Sequence, residues 1–149
     1  MAAQCTVPLS NQLKELGSDA AAFAAEFDAW KATGTEGEYE SFLFGKDGAY
    51  ARPKVDGDQY LLRHVHLVPL KNVVQLSIWK KLWRRRSRKT SDRVLVYASD
   101  TRSNHLLIFI LEEPTAHDVA MMKSEQDTRL MERFAAIAAA FLHDGTVIA

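Results

Sequence analysis

Two histidines, His64 and His66, stand two residues apart in QYLLRHVHLV, residues 59–68. Side chains alternate between the faces of an extended chain, so both imidazoles project from one face, about 6 to 7 Å apart. Imidazole takes up or releases a proton near pH 7, which makes such a pair a candidate general base and general acid. Two other interpretations stay open: the rings satisfy hydrogen bonds on a half-buried sheet, or they ligate zinc with His105 or His117.

A second group of polar side chains crowds the glycine-bearing segment FGKDGAYARPK, residues 44–54. Glycine lets a backbone approach a ligand closely, while lysine, arginine and tyrosine donate hydrogen bonds. We predict that Lys46 and Tyr50 assist the histidines and that Arg52 and Lys54 contact an anionic ligand. A plain solvent-exposed connection would have a similar composition.

The formal net charge is zero, but the charges are unevenly distributed. KKLWRRRSRKTSDR, residues 80–93, has eight basic side chains and one acid, so its net charge is +7 and that of the remainder is −7. Such a strip is typical of a surface that binds a polyanion, although an acidic protein would satisfy the same charges. The predicted RNA-binding residues here are Lys80, Lys81, Arg84, Arg85, Arg86, Arg88, Lys89 and Arg93. We interpret Trp79 and Trp83 as packing residues in preference to stacking platforms for bases.

The elements that must position these residues are a small sheet and helices at both ends of the chain. Apolar residues at helical spacing predict helices from Asp19 to Thr33 and from Ser124 to Leu142. Strands are predicted at residues 59–68, 93–98 and 105–111, the last inside the sheet because it is apolar on both faces. Residues 42–58 indicate a structured turn region, residues 72–83 a strand leading into a short helix, and residues 5–16 either a strand or a helix.

A chain of 149 residues, 47% of them hydrophobic, suffices for one core, so we expect a single domain over residues 1–149. The expected fold class is α+β, with a mostly antiparallel sheet of three or four strands packed against N- and C-terminal helices. The lone cysteine, Cys5, has no disulfide partner, and the sequence shows neither a signal peptide nor a membrane span. We therefore expect a cytoplasmic protein with no membrane partner. Because CxxC and HExxH patterns are absent, no metal or other cofactor is expected.

A series of short motifs resembles the YafO-type toxins of bacterial toxin–antitoxin pairs. In chain order they are FGKDGAY (44–50), HVHL (64–67), LVY (95–97), LLIFIL (106–111), His117 and AAIAAAF (135–141). The first two motifs match at Phe44, Gly45, Lys46, Asp47, Tyr50, His64 and His66. Family members often have arginine where this chain has Lys46, and residues 71–93 are longer and more basic than the family pattern.

The resemblance implies a ribosome-associated mRNA interferase, in the general style of the RelE-like toxins, that is neutralised by a cognate antitoxin. Metal-free RNA cleavage uses the 2′-hydroxyl of the RNA as nucleophile, so the protein supplies a base, an acid and a cation. We assign the proton transfers to His64 and His66. The competing hypothesis is a non-catalytic module that binds RNA or the ribosome through residues 80–93.

The cation in this scheme is Lys46, together with Arg63 or Arg52, and Arg52, Lys54 and Arg63 are also predicted to contact RNA. Arg63 belongs to the histidine strand, but it alternates away from the two imidazoles if that strand is regular. Tyr50 is expected to orient the phosphate or to stack on a base.

Overall fold

The computed structural model describes residues 3–148. Its strands are β1 (Gln4–Cys5), β2 (Phe44–Ala49), β3 (Arg63–Leu67), β4 (Val94–Ser99) and β5 (His105–Leu111). They form a five-stranded sheet in the order β1-β5-β4-β3-β2. Strands β2 to β5 pair antiparallel, whereas β1 pairs in parallel with β5. The α+β class is confirmed, but the sheet is mixed and has more strands than expected.

Six α-helices accompany the sheet in the described part of the chain. They are α1 (Val7–Glu15), α2 (Ala20–Ala32), α3 (Gly37–Glu40), α4 (Val73–Arg84), α5 (Ala116–Met121) and α6 (Glu125–Asp144). Asp19 begins α2 and Ser124 begins α6, each accepting a backbone N–H through its side chain, so both predicted helices are confirmed. None of the helices within residues 3–148 combines the length and the hydropathy that crossing a membrane requires.

Each face of the sheet carries its own hydrophobic core. On one face, α1 and α2 contribute Leu9 and Phe27, which pack against Leu95 of β4. On the other face, α6 contributes Phe134 and Phe141. Strand β5 lies between β1 and β4 and is almost entirely buried, as its apolar run predicted.

Two sequence interpretations were wrong. Residues 44–49, read as part of a turn region, form the edge strand β2, because they pair with β3 from Phe44↔Leu67 to Ala49↔Arg63. Residues 72–83, read as a strand leading into a helix, form only the helix α4, which Asn72 caps by accepting the N–H of Gln75. Of residues 5–16, Cys5 belongs to β1 and most of the remainder forms α1.

Candidate functional site

The two histidines of β3 open into one cavity of about 540 Å³. Their ring centroids are 5.7 Å apart, with 66° between the ring planes. The cavity lies on the α6 side of the sheet, between β3, the first turns of α4 and the start of α5. Its lining also includes Tyr50, Gln75, Ile78, Ser91, Asp92 and His117. The structure therefore brings together His64, His66 and Tyr50.

Tyr50 stacks on His64. The ring centroids are 4.0 Å apart and the planes differ by 10°. Burial raises the pKa of the Tyr50 phenol, which stays protonated. Because one face of the phenol is occupied by the imidazole, Tyr50 supports His64 and does not offer that face to a base.

The environment of His64 favours its neutral form. Burial, the adjacent His66 and the positive charges of Arg63 and Lys46 lower the pKa of His64 to about 4, against an opposing effect of Asp47. Its Nδ1 is buried without a hydrogen-bond partner among residues 3–148. The other ring nitrogen, Nε2, is therefore the one that a molecule in the cavity can use.

His66 is held by the backbone of Ser91. Its Nδ1 lies 2.7 Å from the carbonyl oxygen and 3.0 Å from the amide nitrogen of Ser91. Burial and the charge of Lys46 lower the pKa of His66, while the Ser91 carbonyl and the charge of Asp92 oppose the shift. With Nδ1 engaged, Nε2 is again the nitrogen left for a ligand.

Lys46 does not line the cavity, but its charge acts on both imidazoles. Its side chain is exposed, and its amide donates to the carbonyl oxygen of Lys89 at 2.8 Å. Arg52 and Lys54 are exposed in the connection between β2 and β3, and neither lines the cavity.

Arg63 lies on the other face of β3, as the alternation of a regular strand predicts, although its positive charge still acts on His64. Its guanidinium donates to the hydroxyl of Tyr97 at 3.1 Å and to Asp47 at 3.2 Å. Lys31 contacts the same Asp47 carboxylate at 2.9 Å. Burial would raise the pKa of Asp47, but the hydrogen bonds from Tyr97 and Lys31 and the charges of Lys31 and Arg63 outweigh it and lower that pKa. This network stabilises the α2 side of the sheet.

The basic segment divides into exposed and buried residues. Lys80, Lys81, Arg84, Arg85 and Arg86 are exposed at the C-terminal end of α4 and just after it. Arg88 is also exposed, but it lies 3.6 Å from the carboxylate of Glu38 and donates to the hydroxyl of Tyr39. These residues are the ones that remain accessible to a partner.

Lys89 and Arg93 are buried, so their assignment to RNA binding is wrong. The Lys89 ammonium donates to the carbonyl oxygen of Glu38 at 2.8 Å, and burial, opposed by the charge of Glu38, lowers its pKa to about 8. Arg93 donates to the Glu112 carboxylate at 2.9 Å and to a backbone carbonyl. Both side chains hold the segment that follows α4 against the fold.

The tryptophans before and within the basic segment are packing residues, as interpreted from the sequence. Trp79 is fully buried, and its Nε1 donates to the carbonyl oxygen of Phe42 at 2.7 Å. Trp83 donates to the carbonyl oxygen of Glu40 at 2.9 Å and packs edge-on against Phe42. Together they fix α4 on the segment that leads into β2.

The position of His105 argues against its role as a third zinc ligand beside His64 and His66. His105 lies on the opposite face of the sheet from the histidine pair, where its ring packs 5.2 Å from Phe27 and its Nδ1 is 2.6 Å from the Ser99 hydroxyl. Within residues 3–148, no group of three or more His, Cys, Asp or Glu side chains is arranged to hold a metal ion.

Sequence reasoning missed the residues that complete the cavity. Ser91 acts through its peptide group, which any residue type would supply, so its identity gave no signal. Gln75 and Ile78 stand three residues apart on α4, a helical spacing that would have placed them on one side had this segment been read as a helix throughout.

The fold and the cavity define a small α+β protein with two adjacent imidazoles open to a ligand. Residues 28–143 match the family described as Toxin YafO, type II toxin–antitoxin system, and the chain belongs to this family. The matched range contains both histidines, Tyr50 and all of α4, whereas β1 and α1 precede it. A toxin role and a cognate antitoxin partner follow from this membership. Comparisons with curated proteins and with solved structures found no match.

Proposed function

We propose that this toxin is a metal-independent endoribonuclease, acting as one domain in the cytoplasm, that stops translation by cutting mRNA on the ribosome. The observation that carries the proposal is that two imidazoles, 5.7 Å apart, open into the same cavity. The cavity volume of about 540 Å³ lies in the range of small-molecule sites, which suits a ribose with its phosphate.

The proposed reaction needs two proton transfers. The 2′-oxygen of the RNA attacks the adjacent phosphorus and loses its proton to a base. The bond from phosphorus to the 5′-oxygen breaks, and that oxygen receives a proton from an acid. The products are a 2′,3′-cyclic phosphate and a 5′-hydroxyl, so one neutral and one protonated imidazole suffice.

His64 fits the role of base. Its pKa of about 4 keeps the imidazole neutral at pH 7, and in the tautomer that carries its proton on Nδ1, Nε2 can accept the 2′-hydroxyl proton. A base with so low a pKa is weak in the free protein. An RNA phosphate that enters the cavity adds a negative charge, which raises the pKa and strengthens the base.

His66 fits the role of acid better than His64. In the imidazolium form Nδ1 donates to the carbonyl oxygen of Ser91, 2.7 Å away, in place of accepting from the Ser91 amide, 3.0 Å away, and the charge of Asp92 favours this form. Nδ1 of His64 has no such acceptor. The negative charge of the substrate phosphate therefore favours the protonated form of His66 over that of His64, and Nε2 of His66 then delivers its proton to the 5′-oxygen.

Lys46 supplies the nearby positive charge. It acts on both rings through space, and the same field stabilises the negative charge that develops on the phosphorus oxygens in the transition state. The exposed cations Lys80, Lys81, Arg84, Arg85 and Arg86 lie at the C-terminal end of the helix that borders the cavity and just after it, and they are suited to hold the RNA backbone.

The test is to induce the toxin in cells and map mRNA 5′ ends on translated and untranslated reporter messages. We expect new 5′-hydroxyl ends within the translated message, and none from a chain carrying both His64→Ala and His66→Ala. Undiminished cleavage by this double variant would refute the assignment.

A non-catalytic module is the second candidate function, and the exposed cations at the end of α4 favour it. It predicts that the unsubstituted toxin stops translation without creating new mRNA ends. It also predicts that the double histidine variant remains as toxic as the unsubstituted chain.

A further inference from the structure

Helix α4 presents an apolar surface to solvent at its N-terminal end. The exposed fractions are 78% for Val73, 70% for Val74 and 50% for Ile78. Three β-branched aliphatic side chains exposed within six residues form a small contiguous patch, which is typical of an interaction site. Ile78 also lines the histidine cavity, so the patch begins at its mouth.

The exposure of this patch does not come from a loosely attached helix. Glu113 accepts the backbone N–H groups of Leu70, Lys71 and Asn72 at 2.8, 2.9 and 3.1 Å, which fixes the turn that enters α4. The indole N–H groups of Trp79 and Trp83 attach its inner side to the segment before β2. The valines therefore point away from a firmly held helix.

The same outward surface becomes cationic further along the helix. Val74, Ile78 and Lys81 follow at intervals of four and three residues, so they lie on one line along α4. Lys80 and Arg84 are exposed beside this line. A ligand on this surface meets aliphatic side chains near the cavity and positive charges at the far end.

We infer that the outer surface of α4, from Val73 to Arg84, is the docking site of the cognate antitoxin, and that an amphipathic acidic segment of the antitoxin lies on it. Apolar residues of that segment cover the two valines and Ile78. Acidic residues pair with Lys80, Lys81 and Arg84, which also speeds the encounter. Because the patch begins at the cavity mouth, the docked segment covers the entrance to the histidines.

The chemistry of the patch favours a protein over RNA as the occupant. Valine and isoleucine offer no hydrogen-bond donor to a phosphate and no aromatic face to a base. Of the two tryptophans of α4, Trp79 is fully buried, and Trp83, which is 39% exposed, donates its indole N–H to Glu40 and lies outside the patch. The cations alone would suit either RNA or an acidic protein. The aliphatic part of the surface therefore indicates a protein.

The test uses the cognate antitoxin, purified separately, and measures its dissociation constant for the toxin. The double variant Val73→Ser with Val74→Ser keeps the helix propensity, since valine and serine are similar in this respect. Neither residue lines the cavity. We expect the dissociation constant to rise on the order of 10- to 100-fold, because two apolar contacts are lost.

The matched control is Val7→Ser, which changes a valine that is 65% exposed at the first position of α1. We expect it to bind the antitoxin as tightly as the unsubstituted chain. A second pair, Lys80→Gln with Lys81→Gln, should lower the association rate and its dependence on salt.

Unchanged antitoxin affinity in the double valine variant would overturn the inference. Loss of RNA cutting at unchanged affinity would assign the patch to RNA, and loss of self-association in sedimentation would assign it to a second copy of the chain. Docking rests on the toxin role, whereas occlusion of the cavity rests on the proposed nuclease function. Because affinity is measured without RNA, a failure of either one can be recognised separately.

Discussion

The phenol ring of Tyr50 lies parallel to the imidazole of His64, with 4.0 Å between the ring centroids. The backbone fixes this contact, because the amide of Tyr50 donates to the carbonyl oxygen of Leu62 at 2.8 Å, just beyond the paired part of β2 and β3. The stack shields one face of His64 from water and so contributes to the burial that lowers its pKa. Tyr50 thereby sets the protonation state of the candidate base.

Two substitutions of Tyr50 distinguish the contribution of its ring from that of its hydroxyl group. Tyr50→Phe keeps the stack, so we expect the pKa of His64 to stay near 4 and cutting to continue. Tyr50→Leu removes the stack, which should raise the pKa of His64 towards 6.5. Because the imidazole is then less well positioned as a base, RNA cutting should slow roughly 10-fold or more. NMR titration of the His64 ring and single-turnover cleavage measure the two effects. Equal His64 pKa values in both variants would show that the stack has no electrostatic role.

Each histidine should matter to the rate and little to the fold. A positioned acid or base contributes about 10²- to 10⁴-fold, so His64→Ala or His66→Ala should slow RNA cutting by that factor. His143→Ala is the matched control, because His143 is exposed at the end of α6. Cleavage is measured on purified translating ribosomes, with circular dichroism to confirm folding. A control variant that loses as much activity would show that the loss is unspecific.

The depressed pKa of His64 makes stability depend on pH. Its pKa falls from 6.5 to about 4 on folding, so between these values the unfolded chain binds more protons than the folded chain. The free energy of unfolding therefore rises with pH in this window; the contribution is complete above about pH 6.5 and is lost as the pH falls through 4. We expect His64 to account for roughly 1 to 3 kcal/mol, allowing for its partial exposure.

Urea unfolding between pH 4 and 7 measures this dependence. A His64→Gln chain should show a flatter profile than the unsubstituted chain. The slope left in it comes from His66 and His105, whose pKa values burial also lowers, and near pH 4 from Asp47 and Glu113, whose pKa values are lowered by their hydrogen bonds and neighbouring charges. Identical profiles for the His64→Gln and unsubstituted chains would contradict the burial argument.

Alanine substitutions at the two glycines of β2 should change the stability of the protein to different extents. A Cβ at Gly45 would lie 2.3 Å from the carbonyl oxygen of Lys89 and 2.9 Å from the Trp79 ring, so the backbone or the helix anchor must move. We expect Gly45→Ala to cost about 2 to 4 kcal/mol in the free energy of unfolding. A Cβ at Gly48 meets only the His64 ring, at 3.6 Å, so Gly48→Ala should change stability by less than about 0.5 kcal/mol. Urea unfolding of both variants measures these changes. Equal losses in the free energy of unfolding would contradict the close approach at Gly45.

The histidine strand could be predicted from the sequence because its alternation is simple. Val65 and Leu67 are buried on the α2 side, which leaves His64 and His66 on the other side. Strand β2 could not be predicted, because FGKDGA has two glycines and no β-branched residue. It is a strand because it pairs with β3, and that pairing depends on residues far along the chain.

The basic segment shows the limit of reading charge from composition. Nothing local distinguishes Lys89 and Arg93 from their exposed neighbours. Their burial depends on Glu38 and Glu112, which lie 51 and 19 residues away in the sequence. Charge density predicted a cationic surface, but only the tertiary partners show which cations remain on it.

The parallel pairing of β1 with β5 has a consequence for synthesis of the chain. Thr6 donates to the carbonyl oxygen of Ile108, 102 residues further on, so the first strand has no partner until β5 has been translated. Contacts this distant form slowly, whereas neighbouring antiparallel strands meet early. We expect the nascent polypeptide to assemble β2 to β5 first and to dock β1 last, once β5 has been translated.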